Sequence, residues 1–219
     1  MNWSWSYAWS CLPDLLRGML ITAEVTALGS VIALVAGLFW AILVLSGVPG
    51  VAHLARLIVD FVRGTPLVVQ VFFFFYALPS IGISGGPFVI GVFSLGLYGS
   101  AYMAEVYRAG IVNLPRGQWE AAKVLRLPPV WHWIDVVIPQ VFRAVLPALG
   151  NNIVVMLKYT PVLSTITVTE LLTAGLDLGS ESYRYLEPLT LAGVAFIVIT
   201  IPCVLALRVL ERRLARGAA

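Results

Sequence analysis

The sequence predicts an all-α integral membrane protein with five spanning helices, and three observations carry that prediction. Of 219 residues, 60% are hydrophobic and only 11% are charged, whereas a soluble domain is roughly a quarter charged. Five stretches stay apolar over roughly 20 residues, the length that crosses a hydrocarbon core at about 1.5 Å per helical residue. The lysines and arginines gather on one side of those stretches once the chain is threaded through a bilayer. The whole of 1–219 is expected to form a single transmembrane domain.

The first stretch covers about 18–45 and holds one charge, Glu24. From Gly64 to Ala104 there is no charge, and the glycine- and proline-rich run 79–87 divides that region into two spans, about 57–78 and 88–110. A fourth covers about 136–157 and a fifth about 188–207. An odd number of spans puts the termini on opposite faces. With the N-terminus outside, only Arg17, Lys158 and Arg184 of the fourteen cationic side chains lie outside. The bias places the C-terminus in the cytoplasm. Trp3, Trp5, Tyr7 and Trp9 precede the first span, where aromatic rings anchor a chain at the headgroup level.

The net charge of +3 is explained by this lipid-orienting pattern and not by nucleic-acid binding. Cys11 and Cys203 are too far apart in setting to form a disulfide framework or a metal site. The N-terminal segment lacks a basic region and carries Asp14, which argues against a cleaved signal peptide. Catalytic motifs are missing too. The only lysines, Lys123 and Lys158, follow Ala122 and Leu157, so no phosphate-binding Gly-Lys-Ser/Thr exists and the chain is not expected to be an enzyme. Energy for transport then comes from a partner nucleotidase, or the chain is an ion-gradient carrier or channel acting as a homo-oligomer.

Two segments remain outside the spans. The cytoplasmic loop, about 112–135, contains Gln118-Trp-Glu-Ala-Ala-Lys-Val-Leu-Arg126, a run of good helix formers stopped by Pro128-Pro129. So short a helix is marginal alone; its small Ala121 and Ala122 suit it to docking in a partner's groove, although Glu-Ala-Ala by itself fits better a surface helix lying on the membrane. The outer segment, about 158–187, contains the run Tyr159 to Leu172, too short and hydroxyl-rich for a span, which is expected to be a re-entrant or interfacial helix.

At the cytoplasmic loop the sequence resembles the membrane subunits of bacterial ATP-binding-cassette importers. Their signature is Glu-Ala-Ala, three residues, Gly, nine residues, Ile-x-Leu-Pro; here Glu120-Ala121-Ala122 is followed at that spacing by Val136-x-Ile138-Pro139. Arg126 stands in place of the glycine, a departure expected to change the local backbone. The run Phe61-Val-Arg-Gly-Thr-Pro-Leu-Val-Val-Gln-Val-Phe72 is similar to an element of the polar amino-acid permeases, and Tyr102-Met-Ala-Glu-Val-Tyr-Arg108 and Lys158-x-Thr160-x-x-x-Ser164 match as well. Where that family has Lys-Asp-Thr-Ser, Tyr159 replaces the acid and Pro161 the serine. Two further segments, Pro161 to Leu172 and Gly179 to Pro188, look most like permeases of ectoine and hydroxyectoine importers.

The resemblance implies a type I importer permease fold with a cytoplasmic coupling helix. It implies as partners a cytoplasmic ATPase dimer that binds ATP-Mg, a second permease subunit (homologous or identical) and an extracytoplasmic solute-binding protein, with no cofactor on this chain. Gly117, Glu120, Ala121, Ala122, Arg126 and Pro139 would couple to the ATPase. The solute would be a small polar or zwitterionic molecule, an amino acid or an ectoine-type compatible solute.

Polar residues at membrane depth mark the candidate path: Gln70, Asn151, Asn152, and at the outer mouth Lys158, Thr160 and Glu170. Helix-to-helix hydrogen bonding accounts for the same side chains equally well. Asp60 with Arg63, and Glu105 with Arg108, are three apart on one helical face and are expected to pair near the inner face. Glu24 has no charge within a turn and needs a partner from another helix or access to water.

Overall fold

The computed structural model describes residues 3–126 and 128–216, and among them every regular element is helical. The order is α1 (Trp5–Val44), α2 (Pro49–Gly64), α3 (Leu67–Phe72), α4 (Pro87–Val112), α5 (Arg116–Val124), α6 (Pro129–Trp131), α7 (Ile138–Tyr159), α8 (Leu171–Ser182) and α9 (Leu186–Arg216). Four helical stretches are long and apolar enough to cross a membrane: Trp5–Val44, Pro87–Val112, His132–Ile166 and Leu186–Leu214. Counting the bent pair Pro49–Gly64 and Leu67–Ile81 as one span makes five.

The frame is the packing of α1 against α4. Lipid tails are as apolar as leucine, so burial alone does not pull two membrane helices together; close backbone approach through small residues does. On α1, Gly29, Ala33, Gly37 and Ala41 recur every fourth residue, and all are buried. The facing positions on α4 include Gly96, Gly99, Ser100 and Ala104. A Cβ on Gly37 would lie 2.8 Å from Met103 Cβ and 3.0 Å from the Ser100 carbonyl oxygen, so only hydrogen fits. The core continues through Leu95, Met103, Met156, Leu163 and Ile166, which join α4 and α7 to the chain beyond.

α2 does not run on through residue 78 as a straight span. The pair bends by 102° at Thr65-Pro66, because Pro66 has no N–H for the helix and pushes Thr65 into an extended conformation (φ −104°, ψ 138°). The carbonyls freed by that break need donors. Gln70 Nε2 supplies them, donating to the Val62 carbonyl at 2.8 Å and to Thr65 Oγ1 at 2.7 Å. Gln70→Leu removes those bonds in a buried place, and an unsatisfied buried carbonyl costs about 1–3 kcal/mol. A drop in the thermal midpoint of the purified chain is therefore expected; an unchanged midpoint would show that the bend holds itself.

Beyond α4 the sequence-based boundaries also shift. A π-helical stretch, His132–Val137, leads into α7, and a 3-10 stretch, Thr160–Ile166, leaves it. The run 159–172 is therefore not one continuous helix: the 3-10 turn ends at Thr167 in a left-handed conformation (φ 61°), and α8 begins four residues later. α1 also starts earlier than expected, at Trp5. Trp5 and Trp9, four apart, lie exposed on one face, while Tyr7 turns inward and donates to the Leu178 carbonyl at 2.9 Å. Glu187 is fully buried at the start of α9, where it accepts from the Ser4 amide at 3.0 Å and pairs with Arg184. These contacts tie the first turn of α1 to α8 and α9. Cys11 is buried, Cys203 is exposed, and both are free.

Candidate functional site

The outward faces of the long helices differ in kind. α1 exposes Leu20, Leu28, Val31, Val35, Phe39 and Ile42, and α9 exposes Val194, Ile197, Val198, Ile201 and Leu205. Such faces suit hydrocarbon. α7 instead exposes Ala144, Ala148, Asn151, Lys158 and Tyr159, with Gln140, Asn152 and Val155 half-buried beside them. Their spacing of three and four makes one stripe along the helix. Amides facing lipid cost several kcal/mol each, so this stripe meets water or another polypeptide. Pro147 lies inside the helix, midway along it.

Two hollows open between α4 and this face of α7. The larger, about 450 Å³, is lined by Val106, Gly110, Asn113, Gln140, Val145 and Ala148 among others. The smaller, about 50 Å³, lies between Tyr98, Gly99 and Tyr102 of α4 and Asn152, Val155, Met156 and Tyr159 of α7. Its rings form a connected group. Tyr98 and Tyr102 have centroids 5.0 Å apart with their hydroxyls 3.0 Å apart, and Tyr159 meets Tyr98 edge-on at 5.7 Å. Ring faces are electron-rich and attract cations. The Arg63 guanidinium sits 5.5 Å from the Tyr102 centroid, with Asp60 only at 4.0 Å. Glu105 is bound more tightly, taking Arg108 Nε at 2.9 Å and a second guanidinium nitrogen. No carboxylate lines the small hollow.

Three of the residues expected along the path are turned away from it. Gln70 is buried and holds the α2–α3 bend. Thr160 is fully buried, its hydroxyl donating to the Leu157 carbonyl at 2.8 Å. Glu170 is fully buried and caps α8: its carboxylate accepts from the Leu172 and Thr173 amides, each at 2.9 Å, and from the Thr173 hydroxyl. Burial raises the Glu170 pKa, and those three bonds oppose the rise. The physical reason is common to all three: turns between apolar helices leave backbone groups without partners, and the nearest polar side chains satisfy them. Asn151, Asn152 and Lys158 remain on the α7 face. Tyr98, Tyr102 and Gln140 were absent from the expectations, although two tyrosines four apart in an uncharged stretch were visible in the sequence. Glu24 is exposed on α1 and makes no hydrogen bond or ion pair among the described residues.

At the opposite end from α8, α5 presents two faces. Glu120, Ala121 and Lys123 are exposed, and a Cβ on Gly117 would meet nothing within 4 Å. Ala122 is buried, and Gln118 and Trp119 are half-buried. Pro139 is exposed in the first turn of α7. Arg126 stands where the family signature has glycine. It adopts the left-handed conformation of a glycine (φ 50°), at a cost of about 1–2 kcal/mol for a side-chain-bearing residue. The turn is kept and the strain accepted.

Known proteins share this arrangement. Residues 29–216 match the family described as the binding-protein-dependent transport system inner membrane component. A probable amino-acid ABC transporter permease from Sinorhizobium fredii is 40% identical over 210 residues, which cover 96% of this chain and 91% of the relative. The glutamine transport system permease GlnP of Escherichia coli is 33% identical, covering 98% of this chain and 99% of its own. Among solved structures, an amino acid ABC transporter crystallised with histidines superimposes with a TM-score of 0.92 at 33% identity, over 97% of this chain and all of that one. The inward-facing methionine transporter MetNI superimposes at 0.79 with 17% identity, a likeness of fold. Taken with the helical frame above, these matches show that the chain belongs to the binding-protein-dependent inner membrane component family and is the permease component of an amino-acid ABC importer.

Proposed function

We propose that the chain is one half of a paired permease whose solute path runs along the polar face of α7, closed on its open side by a second copy or a homologous chain. The observation that carries this reading is the α7 stripe itself, amides and small residues on a membrane-crossing helix, where the mid-membrane faces of α1 over 27–42 and of α9 over 193–206 expose apolar and small side chains. Import is driven by ATP, as the family implies, which sets aside a gradient-driven carrier. The exposed face of α5 with Gly117, Glu120 and Ala121 docks on a cytoplasmic ATPase dimer that binds ATP-Mg. A solute-binding protein delivers at the other face, and the positive-inside bias supports an outer N-terminus and a cytoplasmic C-terminus.

The solute in this reading is a small zwitterion with a delocalised cation, of the ectoine type, more than an amino acid with a compact ammonium. Two features support it. Tyr159, where the family has an acid, joins Tyr98 and Tyr102 in offering stacking surfaces, and Arg63, held on Tyr102 and 4.0 Å from Asp60, can turn to a carboxylate. Proteoliposomes holding the assembled importer with its ATPase and binding protein test it: labelled ectoine is expected to enter in an ATP-dependent way. Uptake indifferent to ATP sinks the path reading, and uptake of amino acids alone sinks the solute. Tyr159→Asp is expected to lower ectoine uptake about tenfold, the scale of one desolvated cation–π contact, and to favour solutes with a primary ammonium.

A further inference from the structure

α5 is not joined to the bundle by close backbone packing; large side chains reach across and hold it. Trp119 stands edge-on to His132 at 4.9 Å and to Trp133 at 5.8 Å, both on the π-helical stretch that opens into α7. One position back, Gln118 Oε1 accepts from Gln140 Nε2 at 3.2 Å. Gln140 Nε2 also donates to the Val136 carbonyl at 3.0 Å, so both of its hydrogens are used. All of these partners lie on one element, the start of α7, and Gln140 lines the larger hollow. The next weak point along α7 is Pro147, which has no N–H for the helix and crowds the preceding turn. Between the clamp and that proline lie Gln140 and Ala144 of the polar stripe; beyond it lie Asn151, Asn152, Val155 and Tyr159.

We propose that α5 and the first turns of α7, up to Pro147, form one rigid lever, with Trp119 as the positioning residue that locks α5 to it. This rests on the docking of α5 to an ATPase. A push on α5 is then delivered to α7 and not to α4, and α7 pivots at Pro147. The wall of the larger hollow moves while the tyrosine group stays with α4 and the upper half of α7. π-helical insertions recur at functional sites because the widened turn seats bulky side chains that a regular helix does not, and here it seats His132 and Trp133 against Trp119.

The test uses the complete importer in nanodiscs, with Cys203→Ser; Cys11 is fully buried and does not take label. Spin labels go on Lys123→Cys with Arg143→Cys, spanning α5 and α7, and on Lys123→Cys with Val112→Cys, spanning α5 and α4. On trapping with ATP-Mg and vanadate, the α5–α7 distance distribution is expected to stay fixed and the α5–α4 distribution to shift. Adding Trp119→Ala is expected to broaden the α5–α7 distribution and to lower solute moved per ATP hydrolysed about tenfold, the scale of one buried aromatic contact, with hydrolysis retained; Trp119→Phe restores both. An α5–α7 distribution that shifts with nucleotide in the otherwise native complex overturns the lever, as does unchanged transport per ATP in Trp119→Ala. Co-purification reads the docking separately: a complex that retains no ATPase sinks the functional reading, whatever the spectra show.

Discussion

Gly96→Leu is expected to leave almost no folded chain in detergent. A Cβ at Gly96 would lie 2.8 Å from both Cβ and Cγ2 of Ile32 and 3.1 Å from the Gly29 carbonyl oxygen. One of those neighbours is backbone and another is β-branched, so neither yields by changing rotamer. Leucine then adds three more carbons to a seam without space, and α1 and α4 must separate along much of their contact. Overpacking by one or two methylenes already costs about 1–3 kcal/mol, and a whole fold holds only about 5–15 kcal/mol. Size-exclusion profiles and thermal unfolding monitored by tryptophan fluorescence measure the effect. Gly50→Ala is the control, since a Cβ there meets nothing within 4 Å. A monodisperse Gly96→Leu protein with a native thermal midpoint would show that the seam is not what holds the frame.

Glu120→Arg is expected to produce the largest functional loss with the smallest structural one. The side chain is exposed and makes no hydrogen bond or ion pair among the described residues, so folding and membrane insertion are expected to be unchanged. If α5 docks on an ATPase, the exchange both removes a carboxylate from the contact and sets a cation beside its former partner. Breaking one member of a buried charge pair costs about 2–5 kcal/mol, and added repulsion raises that, so uptake is expected to fall roughly a hundredfold with the ATPase lost from the purified complex. Native yields of ATPase in that pull-down would move the docking surface away from this face of α5.

The two predictions draw on information of different kinds. The short helix around Glu120 was legible in the sequence because helix formers and a proline stop act locally, within a dozen positions; its docking role is what the family resemblance implies. The bend at Thr65-Pro66 was partly legible for the same reason, through proline. That Gln70 serves it was not, since an amide at membrane depth looks alike whether it faces a solute or a freed carbonyl. The Gly29, Ala33, Gly37, Ala41 spacing is present in the sequence, but small residues stand out little within so apolar a stretch. Arg126 adopts a left-handed conformation that its side chain disfavours, which the residue type alone does not announce.

The sequence by itself determined that this chain lives in a bilayer, how many apolar stretches it threads there, that it carries no nucleotide-binding loop and where a coupling helix lies. The first three follow from composition, segment length and short-range spacing, which the solvent reads without regard to fold; the coupling helix is what the resemblance of its motif to a known family implies. Only the tertiary structure decided which polar residues face outward. Gln70, Thr160 and Glu170 are turned in to satisfy backbone groups left bare at helix ends and breaks, while Tyr98, Tyr102, Asn152 and Tyr159 gather from two helices. The reason is that a buried polar atom takes the nearest partner in space, and nearness in space is set by how α1, α4 and α7 pack.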